Sequence, residues 1–405
     1  MDQQVAAGQT SAPRESTRLY YLDWLRVLAI LMVFLYHAVH PFDTQAWHIK
    51  NAETSMGLTA FLGFFYPWGM PFFFLIAGTG SWFALRRRTA RQYAKERISR
   101  LLIPYIAGSI LLWPIMLYLQ WLHITRLPMT QAGAWQGSFL DFVLMHHAGF
   151  TPRWFGEVGF HLWFLGFLFC FSLLGLPLFL WLKGKTGEAL LSWLARVCVR
   201  RGGILIFVVP LLVVRLALQP LFPLEHDWAD FMYLMTFFAL GYVLYAREEF
   251  QRAIRRDWAI LLAMSIVTTF GWAYMALSVE NFSPYTAPHT VQDIVLWILV
   301  TTNGWCWTTF MLFIGMRYLN FTNRWLVYGQ EMVLPFFILH QPVIMAIAFF
   351  VVQWEAGLPI KLVTVVAGSF IVTLAIYELI IRRIGPLRTA FGMKARAKTP
   401  ATQGQ

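Results

Sequence analysis

The sequence predicts an all-α, polytopic membrane protein of about ten transmembrane helices with both termini in the cytoplasm. Three observations predict it. Of the 405 residues, 58% are hydrophobic and only 13% are charged, whereas a soluble chain carries roughly a quarter charged residues. Apolar segments of about 20 residues recur along the chain, each long enough to cross ~30 Å of hydrocarbon as a helix. The basic residues gather in alternate connections, and positive loops stay in the cytoplasm.

The first 18 residues form a polar tail, expected to be disordered and cytoplasmic. The apolar run from Leu19 to Phe42 is too long for a signal peptide and has no small-residue cleavage site, so it reads as an uncleaved first span at 20–40. The second span, 58–85, carries Pro67 and Pro71 and is expected to be kinked or split. Further spans are placed at 101–122, 161–182, 203–219, 229–246, 258–279, 291–316, 332–352 and 360–382. No soluble domain, linker or internal repeat interrupts them. The membrane domain is therefore 19–385, followed by a basic cytoplasmic tail at 386–405.

On this assignment 26 of the 32 Lys and Arg residues lie on one side, and only Lys50, Arg126, Arg153 and Lys361 on the other. Arg26 and Arg215 fall inside spans. The net charge of +12 is thus mainly a topology signal, which argues against nucleic acid and for a multi-pass protein of the bacterial inner membrane in contact with lipid. Cys170, Cys198 and Cys306 show no CxxC spacing, so neither a disulfide framework nor a metal site is expected. The 19 Trp and 36 Phe suit interfacial belts and packing between helices.

Ionisable groups within a span cost roughly 2.5–3.5 kcal/mol each on insertion scales and usually face the bundle interior. The first span has three: Asp23, Arg26 and His37. Asp23 and Arg26 are one turn apart and able to pair. Arg26 and His37 are separated by three turns, which puts them on one face about 16 Å apart along the axis. An interior channel with a group at each end is one reading; an Arg and a His snorkelling to opposite interfaces is the other. Arg97 and Arg100 form an R-x-x-R before the third span. Arginines at that spacing suit bidentate phosphate binding, although topology alone also calls for a basic loop there. His340 lies in LPFFILHQP, where Pro342 frees a backbone carbonyl near it; a satisfied core histidine is the plainer alternative. The longest outer loop, 123–160, carries Trp135, His146, His147, Arg153, Trp154 and Glu157, with His161 and Trp163 opening the fourth span. These residues suit either a sugar surface or an interfacial aromatic belt. No metal is assigned to them.

In order, YYLDWLRVLAILMVFLYHAVHP, MPFFFLIAGTGSW, RISRLLIPY, HLWFL and LPFFILHQP resemble the acyltransferase-3 family of bacterial integral-membrane acyltransferases. The resemblance runs over essentially the whole chain, with Arg26 and His37 matching that family's R-x10-H. It implies a membrane-bound O-acyltransferase that takes an acyl group from cytoplasmic acyl-CoA, acetyl- or succinyl-CoA as co-substrate with no bound cofactor. The acceptor implied is a hydroxyl of an extracytoplasmic carbohydrate, as in glycan modification by O-acetylation. On that implication His37 is general base or acyl relay, Arg26 supports the thioester end, Asp23 fixes Arg26, and Arg97 and Arg100 hold donor phosphates. His340, His161, Trp163 and Glu157 become acceptor-side or core polar candidates.

Ala77-Gly78 stands where many members have Ser-Gly, and Phe337 where they have Tyr; both departures bear on substrate rather than on Arg26 or His37. The motifs look most like the branch that includes periplasmic glucan succinyltransferases. No extracytoplasmic esterase-like domain is legible, so the membrane core, its loops or a separate protein is expected to handle the acceptor. A multi-span transporter or flippase would use the same Asp, Arg and His, but it would often show paired broken helices in two repeats, and only one broken span is legible here. A non-catalytic sensor or scaffold leaves the in-span Arg26 and His37 unexplained, although an interfacial ion pair could serve structure.

Overall fold

The computed structural model describes residues 18–125, 151–278 and 290–393. Trp135, His146 and His147, and most of both expected tails, lie outside the described residues. Within them the chain is helical, without strands, and nine helices are long and apolar enough to cross a membrane. The segment at 203–219 is the exception to the ten expected. Gly203–Leu218 is a shorter apolar helix, ending in a buried polar cluster rather than in further apolar residues.

Helix α1 (Tyr20–Val39) is followed by a 3-10 turn at His40–Phe42. The second span is split as its prolines imply: α2 (Met56–Phe65) ends in a turn around Pro67, and α3 (Gly69–Arg87) restarts with Pro71 in its first turn, where a missing N–H costs nothing. The basic stretch that follows is helical rather than a loop. Helix α4 (Ala90–Arg97) begins with a capping box, Thr89 and Gln92 each bonding the other's backbone N–H, which satisfies two donors a helix start leaves open. It passes through a π turn, Ile98–Leu102, into α5 (Ile103–Thr125).

Next come α6 (Trp154–Gly159), a 3-10 turn at Phe160–Leu162, α7 (Trp163–Leu182), α8 (Lys185–Val199), α9 (Val208–Leu218), α10 (Trp228–Ala246), α11 (Glu248–Arg256), α12 (Trp258–Ser278), α13 (Val291–Tyr318), α14 (Arg324–Val351), α15 (Leu358–Ile376) and α16 (Gly385–Ala390). Helices α10 and α14 are the most enclosed spans, while α12 and α15 turn most of their surface outward. Outward residues such as Phe270, Tyr274, Val363 and Ile371 are apolar, as a helix facing hydrocarbon requires.

Helix α1 packs against α3, α13, α14 and α15, so its polar residues meet protein. The closest approach is between α3 and α10. A Cβ on Gly78 would stand 1.9 Å from the Phe238 carbonyl oxygen, and one on Gly241 would stand 2.0 Å from that of Leu75. Two glycines thus set the spacing of that pair, as small residues do where helix backbones meet inside a membrane.

Candidate active site

Two clusters form on α1, one toward each end. At the first, Asp23 accepts from Arg26 Nη1 at 3.1 Å and from Arg18 Nε and Nη2 at 3.1 and 3.0 Å. Arg18 Nη2 also donates to Gln330 Oε1 on α14 at 2.6 Å. Although α1 is enclosed by four helices, 39% of the Arg26 side chain is accessible, so the guanidinium stands in a crevice of the bundle. Gly80 leaves room for it: a Cβ there would come within 3.0 Å of Arg26 Nη2.

Arg97 reaches the same neighbourhood, near enough for its charge to act on Arg26. Its guanidinium lies 4.6 Å over the Tyr93 ring, and its Nε is buried with no hydrogen-bond partner among the described residues. Tyr93 donates to Ser81 Oγ at 2.8 Å, fixing α4 to α3. Arg100 is engaged differently, its Nε standing 3.7 Å from Glu96, which also pairs with Arg88 at 3.1 Å. The two arginines of the R-x-x-R are therefore unequal. Arg97 keeps an unsatisfied donor, while Arg100 has a carboxylate beside it.

At the other end three histidines from distant parts of the chain converge. His37 Nδ1 is 3.1 Å from His340 Nε2, with the rings stacked at 5.1 Å and 13°. His161 stands edge-on to both, its centroid 5.0 Å from His340 and 6.4 Å from His37. Pro342 organises the group. It has no N–H to give the Ile338 carbonyl four residues back, and His161 Nε2 occupies that acceptor at 3.2 Å and the Phe337 carbonyl at 3.1 Å.

The hydrogen bonds assign the tautomers. His340 Nδ1 meets the Phe337 carbonyl at 2.5 Å, and a carbonyl only accepts, so Nδ1 carries the proton and Nε2 is a bare acceptor. His37 Nδ1 must then donate to His340, which leaves His37 Nε2 with a free lone pair. By the same reasoning His161 Nε2 carries its proton and Nδ1 is bare; that Nδ1 is buried without a partner among the described residues. The cluster presents unprotonated imidazole nitrogens, the form needed to accept a proton or attack an acyl carbon.

Trp163 stands beside this cluster rather than in it. Its ring lies 4.1 Å from His226, whose backbone is left-handed at φ 61° and whose N–H donates to Asp230 at 2.8 Å. Asp230 also accepts from Arg215 at 2.7 Å, and Gln219 accepts from the same guanidinium at 3.0 Å. The second in-span arginine is thus neutralised within the fold. Glu157 faces Arg153 at 3.9 Å. Reading the sequence alone does not single out His40, His48 or Gln120, yet the fold puts all three near His37: His40 opens the 3-10 turn that follows α1, ring to ring with His37 at 6.5 Å, and His48, with its partner Gln120, lies close enough for its charge to act on His37 and His161.

Comparison with known proteins gives a single consistent direction. The acyltransferase-3 family model, described as an acyltransferase domain, matches residues 19–378. Among curated proteins the chain is 29% identical over 154 residues to glucans biosynthesis protein C of Escherichia coli strain K12. It is equally similar to the proteins of that name from E. coli O1:K1 / APEC and O139:H28. These matches cover 38% of this chain and 37% of each relative, so the chain spans little more than a third of the length of the curated relatives it matches. No solved structure matches.

Proposed function

Because the chain belongs to the acyltransferase-3 family, we propose that it is a multi-pass O-acyltransferase of the bacterial inner membrane that carries an acyl group from cytoplasmic acyl-CoA to a hydroxyl of an extracytoplasmic glycan. The observation that carries this reading is the pairing of two unlike ends on one helix. A guanidinium crevice at Arg26 and Arg97 stands about 16 Å along α1 from a bare imidazole nitrogen at His37.

The donor fits these ends. Its phosphates are anionic and suit Arg97, which has an unsatisfied buried donor, while Arg26, anchored by Asp23, neutralises charge deeper in the crevice. Its pantetheine arm is long and uncharged, and the face of α1 between Arg26 and His37 is apolar, with Ile30, Val33 and Phe34 buried there. At the far end the acceptor hydroxyl attacks the thioester carbonyl while His37 Nε2 takes its proton, and the C–S bond breaks to release CoA thiolate, which receives that proton. In the two-step form Nε2 attacks first, CoA thiolate leaves, and the hydroxyl then displaces the imidazole. His340 holds the His37 tautomer from the other ring nitrogen. The positive-inside pattern supports a cytoplasmic side for the Arg26 end of α1, beside the basic stretch from Arg86 to Arg100. The E. coli relatives are named for glucan biosynthesis, which supports a glucan as the acceptor class.

The test is CoA release from acetyl-CoA and succinyl-CoA by the purified protein in lipid nanodiscs, with and without a cell-envelope glycan extract. Release that rises with extract is expected, and His37→Ala should abolish it, a loss of about 10²–10⁴-fold for a removed acid–base group. Equal release by wild type and His37→Ala would overturn the reading.

A further inference from the structure

The connection between α1 and α2, residues 43–55, is tied down at many points beside the histidine cluster. Lys50 Nζ donates to the carbonyls of His40 and Asp43, both at 2.6 Å, and to Asp43 Oδ1 at 2.5 Å. The other Asp43 oxygen is 3.1 Å from His40 Nδ1, and Asp43 is fully buried. Asn51 N and Ser55 N return to the carbonyls of Pro41 and Phe42, both at 2.8 Å. From α15, Lys361 Nζ donates to Asn51 Oδ1 at 3.1 Å.

These ties hold Trp47 and His48 in place while leaving both partly accessible. Trp47 lies parallel to His40, 5.6 Å between centroids and 8° between planes, and His40 in turn lies 6.5 Å from His37. His48 packs at 4.7 Å on Phe160, the residue before His161. Phe160 has a φ of 49°, a conformation that a bulky residue adopts only when its surroundings impose it. His48 Nδ1 is 3.0 Å from Gln120 Oε1. An amide oxygen only accepts, so Nδ1 carries the proton and Nε2 is the unprotonated, accepting nitrogen.

We propose that Trp47 and His48 form the acceptor subsite, Trp47 offering its ring to the apolar face of a sugar and His48 Nε2 accepting a hydrogen bond from one of that sugar's hydroxyls. The chemistry selects a neutral carbohydrate. An amphipathic ring such as indole packs on the C–H face of a sugar, and a neutral imidazole binds a hydroxyl without asking for charge. Burial lowers the His48 pKa to about 4, so the lone pair is available at physiological pH. The subsite holds the acceptor next to His37, which performs the transfer; the inference rests on the acyltransferase reading above.

The experiment uses the full chain in nanodiscs and glucan oligosaccharides sized from a cell-envelope extract. Glucan binding is followed by titration calorimetry, and the KM values for glucan and acetyl-CoA are measured separately. Trp47→Ala is expected to weaken glucan binding at least tenfold, with Trp47→Phe retaining most of it. His48→Gln is expected to raise the glucan KM several-fold with the acetyl-CoA KM unchanged. Wild-type glucan affinity in both Trp47→Ala and His48→Gln, equal movement of both KM values, or no glucan binding by the wild type would overturn the proposal. Glucan binding that depends on Trp47 without any acyl transfer would sink the enzymatic reading and leave the subsite. Normal transfer with unchanged glucan KM in both variants would do the reverse.

Discussion

Arg97 and Arg100 have the same side chain three residues apart, and their surroundings give them different capacities. Arg100 has Glu96 for a neighbour, while Arg97 keeps a buried Nε without a partner and a cation–π contact on Tyr93. A donor phosphate would gain most from Arg97, because an unsatisfied buried donor costs about 1–3 kcal/mol until something accepts its hydrogen. Arg97→Ala is therefore expected to raise the acyl-CoA KM about tenfold or more, and Arg100→Ala by markedly less, in initial-rate assays at varied donor. Equal effects would show that the two act alike. The histidines follow the same logic. His37, His161 and His340 are one residue type, and only their hydrogen-bond partners decide which nitrogen of each is bare.

Helix α14 and the 43–55 connection show how single elements serve the site. Pro342 removes one helical hydrogen bond and thereby frees the Ile338 carbonyl for His161. Pro342→Ala should restore a backbone donor at that position and straighten the helix. A helix-interior proline costs roughly 3 kcal/mol, so the variant is expected to melt higher in detergent while transfer falls about tenfold, because His161 then competes for its acceptor. Gains in both stability and activity would mean that the proline serves no catalytic geometry.

In the 43–55 connection, Asp43 and His48 both titrate below their usual range, for different reasons. Burial works against ionised Asp43, but His40 and Lys50 outweigh it and hold the carboxyl low; burial, aided by the nearby His40 and only partly opposed by the Gln120 hydrogen bond, keeps His48 neutral down to about pH 4. The ties through Asp43 therefore persist through the ordinary carboxylate range and are lost only below it. For His48 the unfolded chain binds a proton near pH 6.5 and the folded chain does not until about pH 4. The unfolded state thus holds more protons in that window, and stability rises with pH across it. Hydrogen exchange in residues 43–55 should accelerate as pH falls from about 6.5 toward 4 after correction for intrinsic rates. His48→Gln should remove that part of the dependence. An identical pH profile for wild type and His48→Gln would show that His48 is not the group responsible.

At the scale of the whole molecule, the α3–α10 seam brings two spans into backbone contact. Neither Gly78 nor Gly241 has room for a methyl group, since each faces a carbonyl oxygen at about 2 Å from where the Cβ would be. Gly78→Ala or Gly241→Ala is expected to destabilise the fold by about 3 kcal/mol or more, at the upper end of overpacking costs, read as a lost melting transition or folded yield. Gly57→Ala is the control, because its Cβ would have only an ordinary 3.6 Å contact. The seam also gives a physical reason for Gly78, the residue that the Ala77-Gly78 pair shares with the family's Ser-Gly.

The membrane class, the order of the spans, the break at Pro67 and the motifs that carry Arg26, His37, Arg97 and His340 are legible in the sequence alone. Each of these is written in local composition, in helical spacing or in a motif, and a helix in hydrocarbon must satisfy its backbone within itself. Local spacing also makes 203–219 resemble a full span, since an apolar run does not reveal that Arg215 pairs with Asp230 at its end. It takes the packed fold to bring His37 to His340 across 303 residues of chain, to bury the Arg97 Nε without a partner among the described residues, and to set Trp47 and His48 beside the histidines. Those are distances between groups far apart in sequence, set by how helices pack and how one loop is tied, and no single segment contains them.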